Sequence, residues 1–345
     1  MKSLAREFDL GGITLFDRLG NIESPEQVAG LAFDIRALGV EMPGWIGIDQ
    51  EGGRVARLRA PFTEWPPMAV LGRSGDDALA RKFAAALAAE LKAVGVSLDY
   101  TPVLDILTNP KNPVIGDRAL GDKPEVVAKL GRIIIEELQR VGVAACGKHF
   151  PGHGDTATDS HFELPLVEHP PDRLKAVEFV PFKAAIDAGV TFIMTAHVLV
   201  PALDEELPST LSPRIVQRLL RKELGFKGVI VSDDLQMKAI ANSYAPAQAA
   251  VLAIAAGCDS VLMCGEGKVA DIELQAQALE AIIHAVEDET LSVKQVEAAL
   301  ERNRLAKERY ASKWNGWRPP AAAELRRLIG SEQHRLISEQ MAEFV

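Results

Sequence analysis

"GVIVSDD", residues 228–234, carries an apolar run straight into a serine and two carboxylates. The run is continuous rather than alternating, the pattern of a strand buried on both faces of a helix-covered parallel sheet. The same pattern recurs along the chain. "GGITLF" (11–16), "WIGID" (45–49), "VSLDYTPVLD" (96–105), "GVAACGKH" (142–149), "TFIMTAHV" (191–198) and "DSVLMCG" (259–265) also read as strands. Helical patterns over 25–38, 76–94, 124–141, 172–188, 212–224, 246–256 and 270–286 separate them. Pro246 opens one helix and Gly257 closes it, the usual asymmetry of helix ends. Strand–helix alternation at this spacing means βαβ units and a parallel sheet. Seven strands in about 270 residues fit an α/β fold of the TIM-type (β/α)8 barrel better than a doubly wound sheet, with one strand missing from the count. After residue 290 the pattern is helical, broken by "WNGWRPP" and resumed over 321–343. The simplest partition is a catalytic barrel domain over 1–315 and a C-terminal helical tail over 316–345.

Bulk properties narrow the function. The 345 residues carry a net charge of −10, which argues against a nucleic-acid backbone or an anionic membrane as partner. Cys146, Cys258 and Cys264 show no CxxC spacing, so no disulfide framework or thiolate zinc site is expected and a reducing compartment is. No apolar run approaches the roughly 18 residues of a membrane span. "MKSLAREFDLGG" at the start has no apolar leader core, so a cytoplasmic location is expected.

Polar residues gather where the strands end. The second run leads into Asp49-Gln50-Glu51-Gly52-Gly53-Arg54, the fourth into Lys148-His149 and the sixth into Asp233-Asp234, while the fifth contains His197. In a barrel these ends share one rim, where active sites form. Charged groups there are costly to bury unless paired or used. No GxGxxG, GxxxxGK[ST], GxSxG or HExxH motif occurs. "GKHFPGHGDTATDSHFELP" (147–165) holds three of the seven histidines. His149, His153, Asp155 and His161 have the donor chemistry of a zinc or iron site. Yet Pro151, Gly152 and Gly154 exclude a rigid helix, so no ligand spacing can be read from the segment. Acid–base chemistry needs less. Asp159 and His161 are two apart and share one side of an extended segment. The carboxylate would fix the imidazole tautomer and raise its pKa, giving a general acid near neutral pH. A polar loop with a locally paired histidine is the plainer alternative.

"IDQEGGRVARLR" (48–59), "NPVIGDRALG" (112–121), "GKHFPGHGDTATDSHFELP" (147–165), "MTAHV" (194–198) and "VIVSDDLQMKAI" (229–240) together resemble glycoside hydrolase family 3, in its single-domain β-N-acetylglucosaminidase branch. The resemblance covers roughly residues 10–315. It implies a retaining β-N-acetylhexosaminidase on a barrel, with no metal and no cofactor. Asp233 would be the nucleophile, and Asp159 with His161 the acid/base dyad on a mobile loop. Asp49, Arg57, Arg118, Lys148 and His149 fall on positions that bind the terminal sugar. A retaining mechanism needs one carboxylate to attack the anomeric carbon and one acid to protonate the leaving oxygen. Lys148 and the arginines would keep Asp233 ionised. Glu51 and Glu163 are rival acids, although Glu51 is expected to pair with an arginine such as Arg54. His153 is expected to shape the loop through hydrogen bonds, and Asp234 to bond behind the nucleophile. His197 reads equally as pocket lining or as a satisfied core histidine.

Family members carry a strand and helix before the segment aligned with "FDLGGITLF", so the first barrel strand is expected to be missing here. Two bare sheet edges would follow, covered by a partner chain, by the C-terminal helices or by distorted neighbours. The tail "GSEQHRLISEQMAEFV" resembles the helix that leads into a second domain in longer relatives. The expected partner is an N-acetylglucosamine-containing oligosaccharide, from peptidoglycan recycling by resemblance. A homo-oligomer is one arrangement the sequence allows. Three other functions compete: an N-acetylglucosamine phosphorylase on the same scaffold, a metal-dependent hydrolase using the histidine cluster, and an inactive sugar-binding barrel.

Overall fold

The computed structural model describes residues 7–38, 44–265 and 272–345. Seven strands form one sheet in chain order: β1 (Gly12–Thr14), β2 (Trp45–Ile48), β3 (Leu98–Asp99), β4 (Ala144–Phe150), β5 (Phe192–Thr195), β6 (Val229–Asp234) and β7 (Ser260–Leu262). Every neighbouring pair is parallel. Consecutive strands lying side by side are what repeated strand–helix crossovers produce. All positions of β2 and β4 are buried, as their unbroken apolar runs require.

The sheet curls. Residues of both edge strands, Gly12, Ile13 and Thr14 on one side and Val261 and Leu262 on the other, line a single cavity of about 440 Å³. Among the described residues β1 and β7 do not pair. Among the described residues this sheet has seven strands. The seam is lined by helix Ile272–Glu287, through Gln275, Ala278, Leu279 and Ile282. Of the C-terminal helices, offered above as one cover, Val293–Trp314 reaches edge strand β7 through Asn303, which contacts Ser260 and the Asp259 carbonyl, while the helices of the tail sit elsewhere. Leu325, Ile329, Ile337 and Met341 join the main core. Glu90 fastens the tail to helix Asp77–Ala93 by accepting from Gly330 N at 2.9 Å and His334 Nδ1 at 2.8 Å.

Three expected elements change shape. The stretch 96–105 keeps regular pairing only at Leu98–Asp99, because Pro102 has no amide to donate. Its remainder still follows β4, through Cys146 N to Thr101 O and Lys148 N to Pro102 O. The helix expected over 172–188 divides into Pro171–Ala176 and Phe179–Asp187. Pro181 removes a donor and crowds the carbonyl four residues back, which is Val177, the break itself. Residues 321–343 divide at Gly330, which holds φ 56°, and Ser331 caps the second helix by accepting from His334 N. Among the described residues no helix is long and apolar enough to cross a membrane.

Candidate active site

The C-terminal strand ends converge on a cavity of about 650 Å³. Its lining includes Asp49, Arg57, Arg118, Lys148, His149, Asp159, His161 and Asp233, every site residue expected above.

The floor is a network of buried charge. Lys148, at the end of β4, places Nζ 2.7 Å from both Asp49 Oδ1 and Glu51 Oε1. Arg118 grips Glu51 with a two-pronged contact, Nε to Oε2 at 2.9 Å and Nη2 to Oε1 at 2.8 Å. Burial alone would raise the Glu51 carboxyl, but Arg118 and Lys148 outweigh it and hold the group far below the ordinary carboxylate range. Burial likewise opposes the Lys148 ammonium, and Asp49 and Glu51 reverse the balance. Glu51 is thus not a rival acid. The expected pairing with Arg54 is also corrected. Arg54 reaches Asp117 at 3.5 Å, while Arg118, carried by the turn Gly116–Arg118, takes Glu51. Removing one partner of a buried ion network leaves uncompensated charge, so Glu51→Gln is expected to lose about 3–5 kcal/mol in urea denaturation. A loss below about 1 kcal/mol would remove Glu51 from this role.

Arg57 stands 3.7 Å from Asp49 Oδ2 and lies 4.2 Å over the Phe16 ring. Gln50 fixes it from behind. Its side chain accepts from Arg57 N at 2.8 Å and Leu58 N at 2.9 Å and donates to Leu58 O. That clasp folds Gln50–Gly52 against Val55–Ala56 and aims both ends of "DQEGGRVAR" at the pocket.

Asp105 was not singled out in the sequence, and the structure shows what it does. Its carboxylate accepts from the His149 ring at 2.6 Å and from His153 N at 2.6 Å. Burial would raise this carboxyl, but His149 and the His153 amide keep it below the usual range. With Nδ1 tied to Asp105, His149 turns Nε2 toward the pocket. The signal was present: Asp105 is a carboxylate ending an apolar run, like Asp233.

Asp233 ends β6. Burial pushes its carboxyl up, while His197, His149, the Asp234 amide and Lys148 together hold it below the ordinary range. Asp234 bonds behind it, accepting from Gln236 N and Cys264 N at 3.1 Å. Its carboxyl is pushed up by burial to about 6. His197 is buried, bonded to Thr210 Oγ1 at 2.8 Å and the Asp234 carbonyl at 3.0 Å, and lies outside the cavity lining. It supports β6 from the core.

The loop after β4 presents the dyad. His161 Nδ1 lies 2.7 Å from Asp159 Oδ1, which also accepts the His161 amide at 2.8 Å. The segment is a turn rather than the expected extended strand: Phe162 N and Glu163 N both return to Asp159 O. The i, i+2 contact thus arises from a carboxylate that closes its own turn. Burial would raise the Asp159 carboxyl, but the His161 amide and ring lower it, so it is ionised. Glu163 is exposed and outside the lining.

His153 anchors this loop. Its ring contacts Thr156 Oγ1 at 2.7 Å and Ser160 Oγ at 3.0 Å. A neutral imidazole donates through one nitrogen and accepts through the other; a protonated one loses the acceptor. Burial lowers the His153 pKa from 6.5 to about 4. The unfolded chain therefore takes up a proton below pH 6.5 that the folded chain refuses until about pH 4. Stability falls as pH drops through that window, by on the order of 3 kcal/mol for this ring. The unfolding free energy of wild type is expected to fall more steeply between about pH 7 and pH 4 than that of His153→Gln. Equal slopes would contradict the anchor. Gly154 is fixed by close packing, not needed as a hinge: a Cβ there would meet Ile106 O at 1.8 Å. His149, His153 and His161 are thus each engaged separately, and among the described residues no three histidine, cysteine or acidic side chains gather as a metal site would require.

Residues 1–304 match the family model described as the glycosyl hydrolase family 3 N-terminal domain. The chain belongs to glycoside hydrolase family 3. This family 3 glycosidase is 44% identical to a β-hexosaminidase of Nitrosomonas eutropha over 268 residues, 76% of each chain. A family 3 β-N-acetylglucosaminidase structure from Paenibacillus superposes with a TM-score of 0.91 at 39% identity, covering 99% of this chain. This chain spans 64% of that protein's length. A β-N-acetylhexosaminidase structure from Beutenbergia cavernae gives 0.81 at 29% identity, covering 89% of the glycosidase and 92% of its counterpart. The family 3 glycosidase therefore shares its fold with these structures.

Proposed function

We propose that this chain is a retaining β-N-acetylhexosaminidase that removes terminal β-linked N-acetylglucosamine from peptidoglycan fragments in the cytoplasm. The observation that carries this reading is one cavity holding an ionised carboxylate at a strand end, Asp233, and a histidine bonded to its own carboxylate, His161 with Asp159. Asp233 attacks the anomeric carbon while the His161 Nε2 proton passes to the glycosidic oxygen and the C–O bond breaks. Asp159 occupies Nδ1 and stabilises the imidazolium that serves as acid. Water then gives a proton to the neutral imidazole and attacks the same carbon, releasing Asp233 with net retention. Asp49, Lys148, Arg118, Arg57 and His149 offer acceptors and donors to the sugar hydroxyls.

The β-hexosaminidase relatives support the sugar, and the peptidoglycan source rests on the sequence resemblance. The test is hydrolysis of an aryl β-N-acetylglucosaminide followed by proton NMR. Early release of the β-anomer is expected; early α-anomer would overturn retention. A histidine acid/base does not repel an incoming phosphate dianion as a carboxylate would, so the same assay run in phosphate separates free N-acetylglucosamine from its 1-phosphate. The 1-phosphate as main product would make the enzyme a phosphorylase. Binding without turnover would make it a sugar-binding barrel, and loss of activity on chelation would revive the metal.

A further inference from the structure

We propose that a second cavity, at the opposite end of the strands from the active site, binds a small phosphate monoester carried on a ring, with Arg36, Lys307 and Arg318 taking the charge and aromatic side chains taking the ring. This cavity, of about 630 Å³, lies where strands begin: Trp45 opens β2 and Ser97 directly precedes β3. It shares no lining residue with the active-site cavity. Helix Pro25–Arg36 supplies Arg36, helix Val293–Trp314 supplies Lys307, and the turn beyond that helix supplies Arg318.

Charge and hydrogen bonding both leave the site incomplete. Arg36 lies 4.1 Å from the centre of the Trp314 ring, and Lys92 reaches the same ring with Nζ at 3.4 Å. Among the described residues no carboxylate forms an ion pair with Arg36, Lys92, Lys307 or Arg318. Burial therefore lowers the Arg36 guanidinium to about 10, and burial with the neighbouring Arg36 and Lys313 charges lowers the Lys92 ammonium to about 8. Burial lowers Lys307 as well, and Asp9 offsets only part of it. The chain carries a net charge of −10, so a group of unpaired cations is a local feature and not a property of the whole surface. Two buried donors also stand without acceptors, Arg36 Nε and Trp45 Nε1. Trp45 is 7% exposed, so water does not readily serve its indole N–H. An anion in the cavity would meet the unpaired charge and offer acceptors to such donors at once.

The lining also selects the kind of anion. Several cations around one cavity suit a dianion better than a single carboxylate, and a guanidinium takes phosphate through two parallel N–H···O bonds. Phe33, Trp45, Tyr310, Trp314 and Trp317 give the cavity aromatic walls. Its volume is that of a site for an organic molecule, so the phosphate is expected to carry a ring that packs against those walls.

Titration calorimetry on the full chain, at fixed ionic strength, compares phenyl phosphate, inorganic phosphate and benzoate. Phenyl phosphate is expected to bind about tenfold more tightly than either of the other two. Arg36→Met and Lys307→Met, made separately, each weaken it by about fivefold or more, whereas Arg57→Met in the active-site cavity leaves its affinity unchanged. Thermal melts accompany each variant, and Lys307→Met, on a different helix, carries the test if Arg36→Met fails to fold. Absence of phenyl phosphate binding overturns the proposal. So does an affinity that falls in Arg57→Met and holds in Lys307→Met, which would place the ligand in the active site. Benzoate binding as tightly as phenyl phosphate overturns the dianion, and inorganic phosphate binding as tightly overturns the ring.

Discussion

Asp233→Ala lowers kcat on an aryl β-N-acetylglucosaminide by at least about 10⁴-fold, the scale on which removal of a nucleophile acts in enzymes that form covalent intermediates. The expectation follows from how the strand end is built. Asp233 is the residue at which an apolar strand stops being core and starts facing the cavity. Its charge is kept by His197, His149, the Asp234 amide and Lys148 against the cost of burial. Described carboxylates close to it are engaged elsewhere. Asp234 is spent on backbone amides, Glu51 on Arg118 and Lys148, and Asp105 on His149 and His153. Initial rates measured alongside a thermal melt decide the point. A variant that stays folded and keeps more than about a tenth of the wild-type rate would assign the nucleophile elsewhere.

His161→Ala loses about 10²- to 10⁴-fold on a saccharide leaving group, the range of a lost general acid. The loss depends on the leaving group. A dinitrophenolate departs without a proton, so its release in the first turnover is expected to fall by less than about tenfold. The ring is exposed, which keeps stability within about 0.5 kcal/mol of wild type. Pre-steady-state rates on the two substrates separate protonation from binding. Equal losses on both would make His161 a binding group rather than the acid.

Much of this was legible in the sequence because burial and charge leave separate marks. Continuous apolar runs located the seven strands, and a charged residue at the end of a run marked Asp49, Lys148, His149 and Asp233. The "DSH" spacing gave the dyad, although through a closed turn instead of an extended strand. What stayed hidden was pairing across distant parts of the chain. Glu51 has Arg54 three residues away and pairs with Arg118, sixty-seven residues away, because the turn Gly116–Arg118 carries that arginine to the floor. Asp105 looked like strand, and its role emerged only when Pro102 ended regular pairing and let the segment pass under His149 and His153. The glycines of "PGHG" excluded a rigid helix, and what the sequence could not show is that Gly154 is required by close packing against Ile106. Helix Ile272–Glu287 against the β1–β7 seam was likewise beyond reach, since which helix meets the seam is decided by how far the whole sheet curls.

The most direct measurement is a search for the covalent intermediate. His161→Ala slows the attack of water more than it slows departure of a good leaving group, so the glycosylated enzyme should build up on a dinitrophenyl β-N-acetylglucosaminide. Quenching in acid, digestion and mass spectrometry are expected to find one N-acetylhexosaminyl residue on the peptide that contains Asp233. Turnover with no adduct, or an adduct on any other residue, would contradict the account.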